Sequence, residues 1–273
     1  MIEESIRPAL PIVVMTDLDG TLLDHDNYST AAAKPALNWL HTHQIPLIFN
    51  TSKTYNEVYQ LRRTLDNHDP FVCENGSAIF IPKTEGKGYN TEFIGLRYSA
   101  ILKVLHQLRQ QGCHFRGFND MPATEVAALT GLSIEDAHSA KSRDGTEPIL
   151  WQGSDAELVA FKLALAEHKL QLLEGGRFLH VMSQVDKAEG VIFFRHHYQE
   201  LWQANPIVIA LGDSDNDRAM LEAADYPIVI PGKKSTLKIN NSAVLYATSH
   251  GPKGWNQTLL PLLEQLLKET RSG

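Results

Sequence analysis

Two aspartates one residue apart, Asp17 and Asp19, are followed by Gly20 and Thr21 and close an apolar run from Ile12 to Met15. Carboxylates this close repel one another, so the pair implies either a cation or a shared proton between them. Asp-x-Asp-Gly-Thr suits Mg²⁺, which takes hard oxygen ligands and is held by one or two carboxylates together with substrate phosphate. An acidic turn after a strand is the plainer account of the same residues, since Asp and Gly are ordinary turn formers.

Three other stretches weigh against the plainer account. Thr51-Ser52-Lys53-Thr54 follows a second apolar run, Lys187 opens a helical pattern, and Gly212-Asp213-Ser214-Asp215-Asn216-Asp217 closes a third apolar run. In an open α/β sheet such loops meet at one edge, outside the carboxyl ends of the strands. The chemistry that needs this set is transfer of a phosphoryl group to a carboxylate. Asp17 attacks phosphorus, and Asp19 protonates the leaving alcohol and then activates water. Thr51 and Lys187 hold the non-bridging oxygens, and Mg²⁺ on Asp17, Asp19 and Asp213 offsets the gathered charge. A phosphate monoester carries about two negative charges near neutral pH, so repulsion from Asp17 dominates unless Mg²⁺ and Lys187 are present.

The elements that must position these residues are legible in order. Ile12 to Met15 is a buried strand; Ser29 to His43 is a helix with Ser29 or Thr30 as its cap and Pro35 tolerable only in the first turn. Ile45 to Asn50 is a second strand, and Thr54-Tyr55-Asn56-Glu57 has capping-box spacing before Val58, Leu61 and Leu65. Phe71 to Cys73 is a third strand, and Glu74 to Ser77 turns into Ala78 to Ile81 as a hairpin. The β-α-β-α-β order predicts a parallel sheet with right-handed crossovers.

From about Thr84 glycines interrupt the pattern. Helices are expected over Ser99 to Gln111 and Ser154 to Leu165, the second with a capping box at Ser154 to Glu157. Short strands are expected at Cys113 to Gly117, Pro148 to Gln152 and Arg177 to Met182. Residues 84–184 therefore read as an inserted α+β domain, hinged near Pro82 and Gln184, and 1–83 with 185–273 as the core domain. A helix from Lys187 buries Val191, Phe194 and Leu201; Ile207 to Leu211, Ile228 to Ile230 and Val244 to Ala247 are strands; Leu259, Leu260, Leu263, Leu266 and Leu267 stripe a final helix. The expected fold class is α/β, a doubly wound, mostly parallel, Rossmann-like sheet with the α+β insert.

Composition bounds the function. With 43% hydrophobic and 21% charged residues the chain is an ordinary globular protein, and a net charge of −7 argues against a nucleic-acid surface. The apolar run after the N-terminus is too short to span a bilayer or form a signal core, so a cytoplasmic protein without a membrane partner is expected. Only Cys73 and Cys113 occur, without metal-ligand spacing, and the twelve histidines form no zinc motif.

Together these motifs resemble the haloacid dehalogenase superfamily of phosphohydrolases over the whole chain. Asp17-Leu18-Asp19-Gly20-Thr21 matches its first motif, Thr51 its second, Lys187 its third and Gly212 to Asp217 its fourth. The resemblance implies that Asp17 is the nucleophile, Asp19 the acid/base and a backbone-carbonyl metal contact, and Asp213 a direct Mg²⁺ ligand. It places Asp217 behind the metal or reaching it through water, and makes the insert a cap that sets substrate specificity.

More narrowly, Asn50-Thr51-Ser52-Lys53-Thr54, Glu74-Asn75-Gly76, Gly117-Phe118-Asn119-Asp120, Thr130-Gly131-Leu132, Arg143 with Glu147-Pro148, and Gly175-Gly176-Arg177-Phe178 resemble the mannosyl-3-phosphoglycerate phosphatase family. Most relatives with such a cap carry Thr-Gly-Arg where this chain has Thr51-Ser52-Lys53. The implied substrate contacts are Ser52, Lys53, Asn75, Arg143, Glu147 and Arg177, and the implied partner is a small phosphorylated sugar-glycerate. Arg143 and Arg177 suit a glycerate carboxylate, and Glu147 and Asp120 can accept from sugar hydroxyls. Competing readings are a broader sugar-phosphate phosphatase, a phosphomutase, and a phosphate-accepting switch. The switch has no need of Asp19 or of a hundred-residue insert.

Overall fold

A computed structural model of the chain describes residues 10–174, 178–232 and 236–272. Its elements in chain order are β1 (Ile12–Thr16), α1 (Lys34–Thr42), β2 (Leu47–Asn50), α2 (Tyr55–Thr64), β3 (Phe71–Cys73), β4 (Ala78–Pro82) and β5 (Tyr89–Phe93). There follow α3 (Tyr98–Gln110), β6 (Phe115–Gly117), α4 (Ala123–Thr130), α5 (Ile134–Lys141), β7 (Thr146–Trp151), α6 (Asp155–Glu167), β8 (Leu170–Glu174) and β9 (Leu179–Ser183). The chain closes with α7 (Ala188–Trp202), β10 (Ile207–Gly212), α8 (Arg218–Glu222), β11 (Tyr226–Val229), β12 (Leu245–Tyr246) and α9 (Gly251–Ser272). Contacts divide it into two units: Met1–Thr51 with Asp69–Phe71 and Asp186–Gly273, and Ser52–His68 with Val72–Val185.

In the first unit the strands run β12-β11-β10-β1-β2, each neighbour pair parallel. Every residue of β1 is buried, as the unbroken apolar run requires of a strand covered on both faces. The chain leaves β1 for β2 on one side, while β10 lies on the other. This is the strand-order switch at which such sheets open a crevice beyond their carboxyl ends. Among the helices, α1 packs with α9 and α7 with α8. Leu259, Leu262, Leu263 and Leu266 of α9 are buried, each contributing about 1.5–3 kcal/mol of apolar transfer. Among the described residues, no helix is long and apolar enough to cross a membrane.

In the second unit β6-β7-β9-β8 form an antiparallel sheet. Ile101 and Leu105 of α3 and Phe161 and Leu165 of α6 form one apolar cluster with Phe115, Ile149, Leu170 and Val181 of the strands. A second cluster joins Phe118 and Met121 to Val126 of α4 and Ala137 of α5. A parallel α/β sheet with a separate α+β insert is thus the observed class.

Local differences from the sequence reading have plain causes. The first helix starts as a 3₁₀ turn, Ala31–Ala33, with Thr30 at its N-cap making no side-chain cap bond, and Pro35 falls in the first turn of α1. Leu201 is exposed and Tyr198 and Trp202 take its expected buried place, because α7 turns that face outward. Strands β5 and β8 and helices α4 and α5 were not expected. β5 carries polar side chains on a half-exposed strand, and the two helices are single short runs too brief for a clear period. The boxes at Thr54–Glu57 and Ser154–Glu157 are both formed.

Candidate active site

The register Thr16↔Leu211 brings β1 and β10 to an end together, and the backbone N–H of Asp17 donates to Leu211 O at 2.9 Å. Asp17 and the Asp213 loop therefore emerge side by side although nearly two hundred residues separate them. Carboxylate oxygens of Asp17, Asp213 and Asp217 all lie within 4.8 Å of one another. Lys187, immediately before α7, is fully buried and donates from Nζ to Asp17 Oδ1 and Asp217 Oδ1, each at 2.6 Å. Asn50 at the end of β2 anchors it, its Nδ2 donating to Lys187 O at 2.8 Å.

Asp217 is committed to protein donors. One oxygen takes the lysine; the other accepts from Asp213 N at 3.0 Å and from Ser214 N at 3.1 Å. It thereby braces the loop that presents Asp213, whose Oδ1 also accepts from Thr21 Oγ1 at 3.5 Å. Gly20, at φ +80°, lets the first loop pass this close: a Cβ there would lie 2.8 Å from Asp213 Oδ2. Behind Asp17, Trp255 Nε1 of α9 donates to Thr16 Oγ1 at 3.0 Å, and that hydroxyl donates to Asp17 O at 2.7 Å.

Burial and the neighbouring Asp217 charge push Asp17 well above the usual carboxylate range, against the pull of Lys187. The same two causes raise Asp213 to about 6. Burial disfavours the Lys187 ammonium, but the adjacent Asp17 and Asp217 carboxylates outweigh it and hold its pKa above the ordinary lysine value. Three carboxylates face one ammonium, so full ionisation leaves two uncompensated negative charges. The donors are all hard oxygens. A divalent, oxygen-seeking cation fits both the charge and the donor set.

The other expected site residues fall as follows. Asp19 is half-buried in the turn that bridges to Leu23, and Thr51 is fully buried directly after β2. Ser52 and Lys53 are half-buried and Asn75 is buried in a turn at φ 55°. Arg143 donates from Nε to Ala140 O at 2.8 Å and from Nη1 to Thr146 Oγ1 at 2.9 Å. Both carboxylate oxygens of buried Glu147 are engaged, one by Tyr98 Oη at 2.7 Å and the other by Asn119 N at 2.8 Å. Asp120 pairs with Arg109 at 2.6 Å. Arg177 lies outside the described residues.

Sequence reasoning gave no role to Asn50, Thr16, Trp255 or Glu74. For Asn50 the signal was its place before Thr51; for the others no local pattern marks the contact.

The model of the haloacid dehalogenase-like hydrolase family matches residues 14–145 and 171–250. A glucosyl-3-phosphoglycerate/mannosyl-3-phosphoglycerate phosphatase of Methanococcoides burtonii is 38% identical over 265 residues, 92% of this chain and 97% of the relative. One of the same name from Persephonella marina is 33% identical over 267 residues, 93% and 98% of the two chains. In structure the chain is similar to a phosphatase of the haloalkanoate enzyme superfamily from Bacteroides thetaiotaomicron, with a TM-score of 0.65 at 17% identity, covering 94% of this chain and 96% of that one.

Proposed function

Because the chain belongs to the haloacid dehalogenase-like hydrolases, we propose that it is a Mg²⁺-dependent phosphatase that hydrolyses mannosyl-3-phosphoglycerate to mannosylglycerate and phosphate. The observation that carries this reading is the buried Lys187 ammonium, 2.6 Å from both Asp17 and Asp217, beside an Asp213 carboxylate braced for a cation. The substrate is supported by the two relatives named for it.

In this reading an oxygen of Asp17 forms a bond to phosphorus as the bond from phosphorus to the glycerate oxygen breaks. Asp19 gives its proton to that departing oxygen. Water then attacks the aspartyl phosphate, Asp19 takes its proton, and Asp17 is released with inorganic phosphate. Lys187 pulls Asp17 toward its ionised form against that burial and, with Thr51, offsets charge on the non-bridging oxygens. Asp17, Asp213 and the Asp19 carbonyl, with Asp217 behind them, would hold Mg²⁺, and its two positive charges would offset those of a dianionic ester. Residues 84–184 serve as the cap, and Ser52, Lys53, Asn75, Arg143, Glu147 and Arg177 recognise the sugar and glycerate. The enzyme works in the cytoplasm on this small solute.

Phosphate release from mannosyl-3-phosphoglycerate, with and without Mg²⁺, tests the proposal, with the glucosyl analogue and glucose 6-phosphate as competing substrates and Asp17→Asn as control. Metal-dependent release that favours the glycosyl-glycerate esters and vanishes in Asp17→Asn is expected. Equal turnover of glucose 6-phosphate would replace the substrate assignment with a broad sugar-phosphate phosphatase. No release from any ester would return a phosphate-accepting switch to the front.

A further inference from the structure

Glu74 is fully buried, and none of the chemistry above uses it. It lies in the second unit, directly after β3, and with Asn75 it adopts the left-handed backbone region, at φ 52° and 55°. That region is unfavourable for non-glycine residues and persists only where the surroundings over-determine it. The surroundings here are specific. Glu74 Oε1 accepts from Asp144 N at 2.7 Å; Oε2 accepts from Gly145 N at 3.2 Å and from Thr146 Oγ1 at 2.5 Å. Arg143 Nη1 stands 4.0 Å from the same oxygen.

The residue's backbone works in a second direction. Glu74 N donates to Lys53 O at 3.0 Å, and its carbonyl accepts from Ser77 N at 3.2 Å. The 143–146 loop is also pressed onto this turn: a Cβ at Gly145 would lie 2.7 Å from Ser77 Cβ. Beside it, Thr54 Oγ1 donates to Ser139 O at 3.0 Å, tying the start of α2 to the end of α5. Through its side chain and its backbone, Glu74 therefore ties the 143–146 loop and Lys53 to its own turn, which it shares with Asn75.

Arg143 is held so that part of it stays available. Its side chain is only 6% exposed, yet its Nη2 donors make no hydrogen bond among the described residues. A guanidinium so enclosed with an open donor edge is suited to a carboxylate, which it can meet in the plane of its fork.

We propose that Glu74 is a positioning residue for substrate recognition: it fixes the 143–146 loop against the Lys53 and Asn75 segments, so that Arg143 is set to take the glycerate carboxylate. This rests on the reading that Arg143 binds that carboxylate. The alternative role, support of the fold alone, predicts equal damage to every substrate.

The test is a double-mutant cycle of Glu74→Gln and Arg143→Ala, with kcat and KM measured on mannosyl-3-phosphoglycerate and on p-nitrophenyl phosphate, which has no carboxylate. Glutamine keeps the size of the side chain but sets an amide donor against donors. We expect Arg143→Ala to raise KM for the mannosyl compound about ten- to hundredfold, the scale of a charge-assisted bond. Glu74→Gln should raise it comparably, lose at least tenfold less on p-nitrophenyl phosphate, and add little in the double variant.

An effect of Arg143→Ala without one of Glu74→Gln overturns the positioning role and leaves the substrate reading intact. No effect of either on KM removes the substrate reading of Arg143 and this inference with it. Equal losses on both esters, or additive losses in the cycle, assign Glu74 to the fold. Should Glu74→Gln fail to fold, Thr146→Val removes the hydroxyl that bridges Glu74 and Arg143. The same KM-selective loss is expected there, and its absence refutes the proposal.

Discussion

Replacing Lys187 by methionine tests the electrostatic core of the site. The side chain is fully buried, and its Nζ lies 2.6 Å from an oxygen of Asp17 and of Asp217. At an effective dielectric of about 20 each contact amounts to roughly 6 kcal/mol of attraction, much of it offset by the cost of burying an ammonium. Methionine fills similar volume without charge, so packing changes little. What remains is a set of three carboxylates with no partner cation, and removing one member of a buried ionic group costs about 3–5 kcal/mol.

Urea unfolding at neutral pH in EDTA should show a loss of that size. Added Mg²⁺ should stabilise Lys187→Met by more than it stabilises the parent, because the variant presents one more uncompensated negative charge to the ion. The increment follows the ratio of metal concentration to dissociation constant, about 2.7 kcal/mol at a hundredfold excess. Catalysis should be lost even when Mg²⁺ restores stability, since Asp17 then has no ammonium beside it. A loss below about 1 kcal/mol in EDTA, or equal metal increments in both proteins, would refute the charge accounting.

Three other outcomes are expected. Gly20→Ala forces a side chain at φ +80° and toward Asp213 Oδ2, costing about 1–2 kcal/mol of stability; displacement of Asp213 should lower kcat/KM about a hundredfold, read in melting and steady-state kinetics. Trp255→Phe deletes the bond to Thr16 Oγ1 behind Asp17 and should lower Tm by about 2–4 °C with catalysis nearly retained. His180 is held neutral to about pH 3 by burial and then by nearby Arg143, and its Nδ1 has no hydrogen-bond partner among the described residues. Its folded pKa is below the unfolded value, so the stability it contributes is complete above about pH 6.5 and is lost as pH falls toward 3. His180→Gln should therefore lose about 2 kcal/mol less than the parent between pH 7.5 and 5 in urea titrations, and identical acid slopes would contradict the assignment.

How much of this was legible before the structure depends on range. Asp17, Thr51, Lys187 and Asp213 announced themselves because each is a chemistry-bearing residue placed where an apolar run ends or a helix opens, and burial of a strand is written in its own residues. Capping boxes at Thr54 and Ser154 were equally local. Helices α4 and α5 were missed because eight-residue elements hold barely two turns, too few for a period to stand out.

The sequence by itself therefore determined the candidate site residues, the strands and helices that carry them, and the class of chemistry they suit. Tertiary structure alone decided that β10 pairs with β1, which sets Asp213 beside Asp17. It also decided that Asp217 braces the Asp213 loop, that Trp255 reaches Thr16 from the far end of the chain, and that Glu74 ties the 144–146 loop to Lys53. The reason is physical: side-chain periodicity reports whether a residue is buried, whereas its neighbour across a sheet or a buried carboxylate is selected by packing over the whole chain.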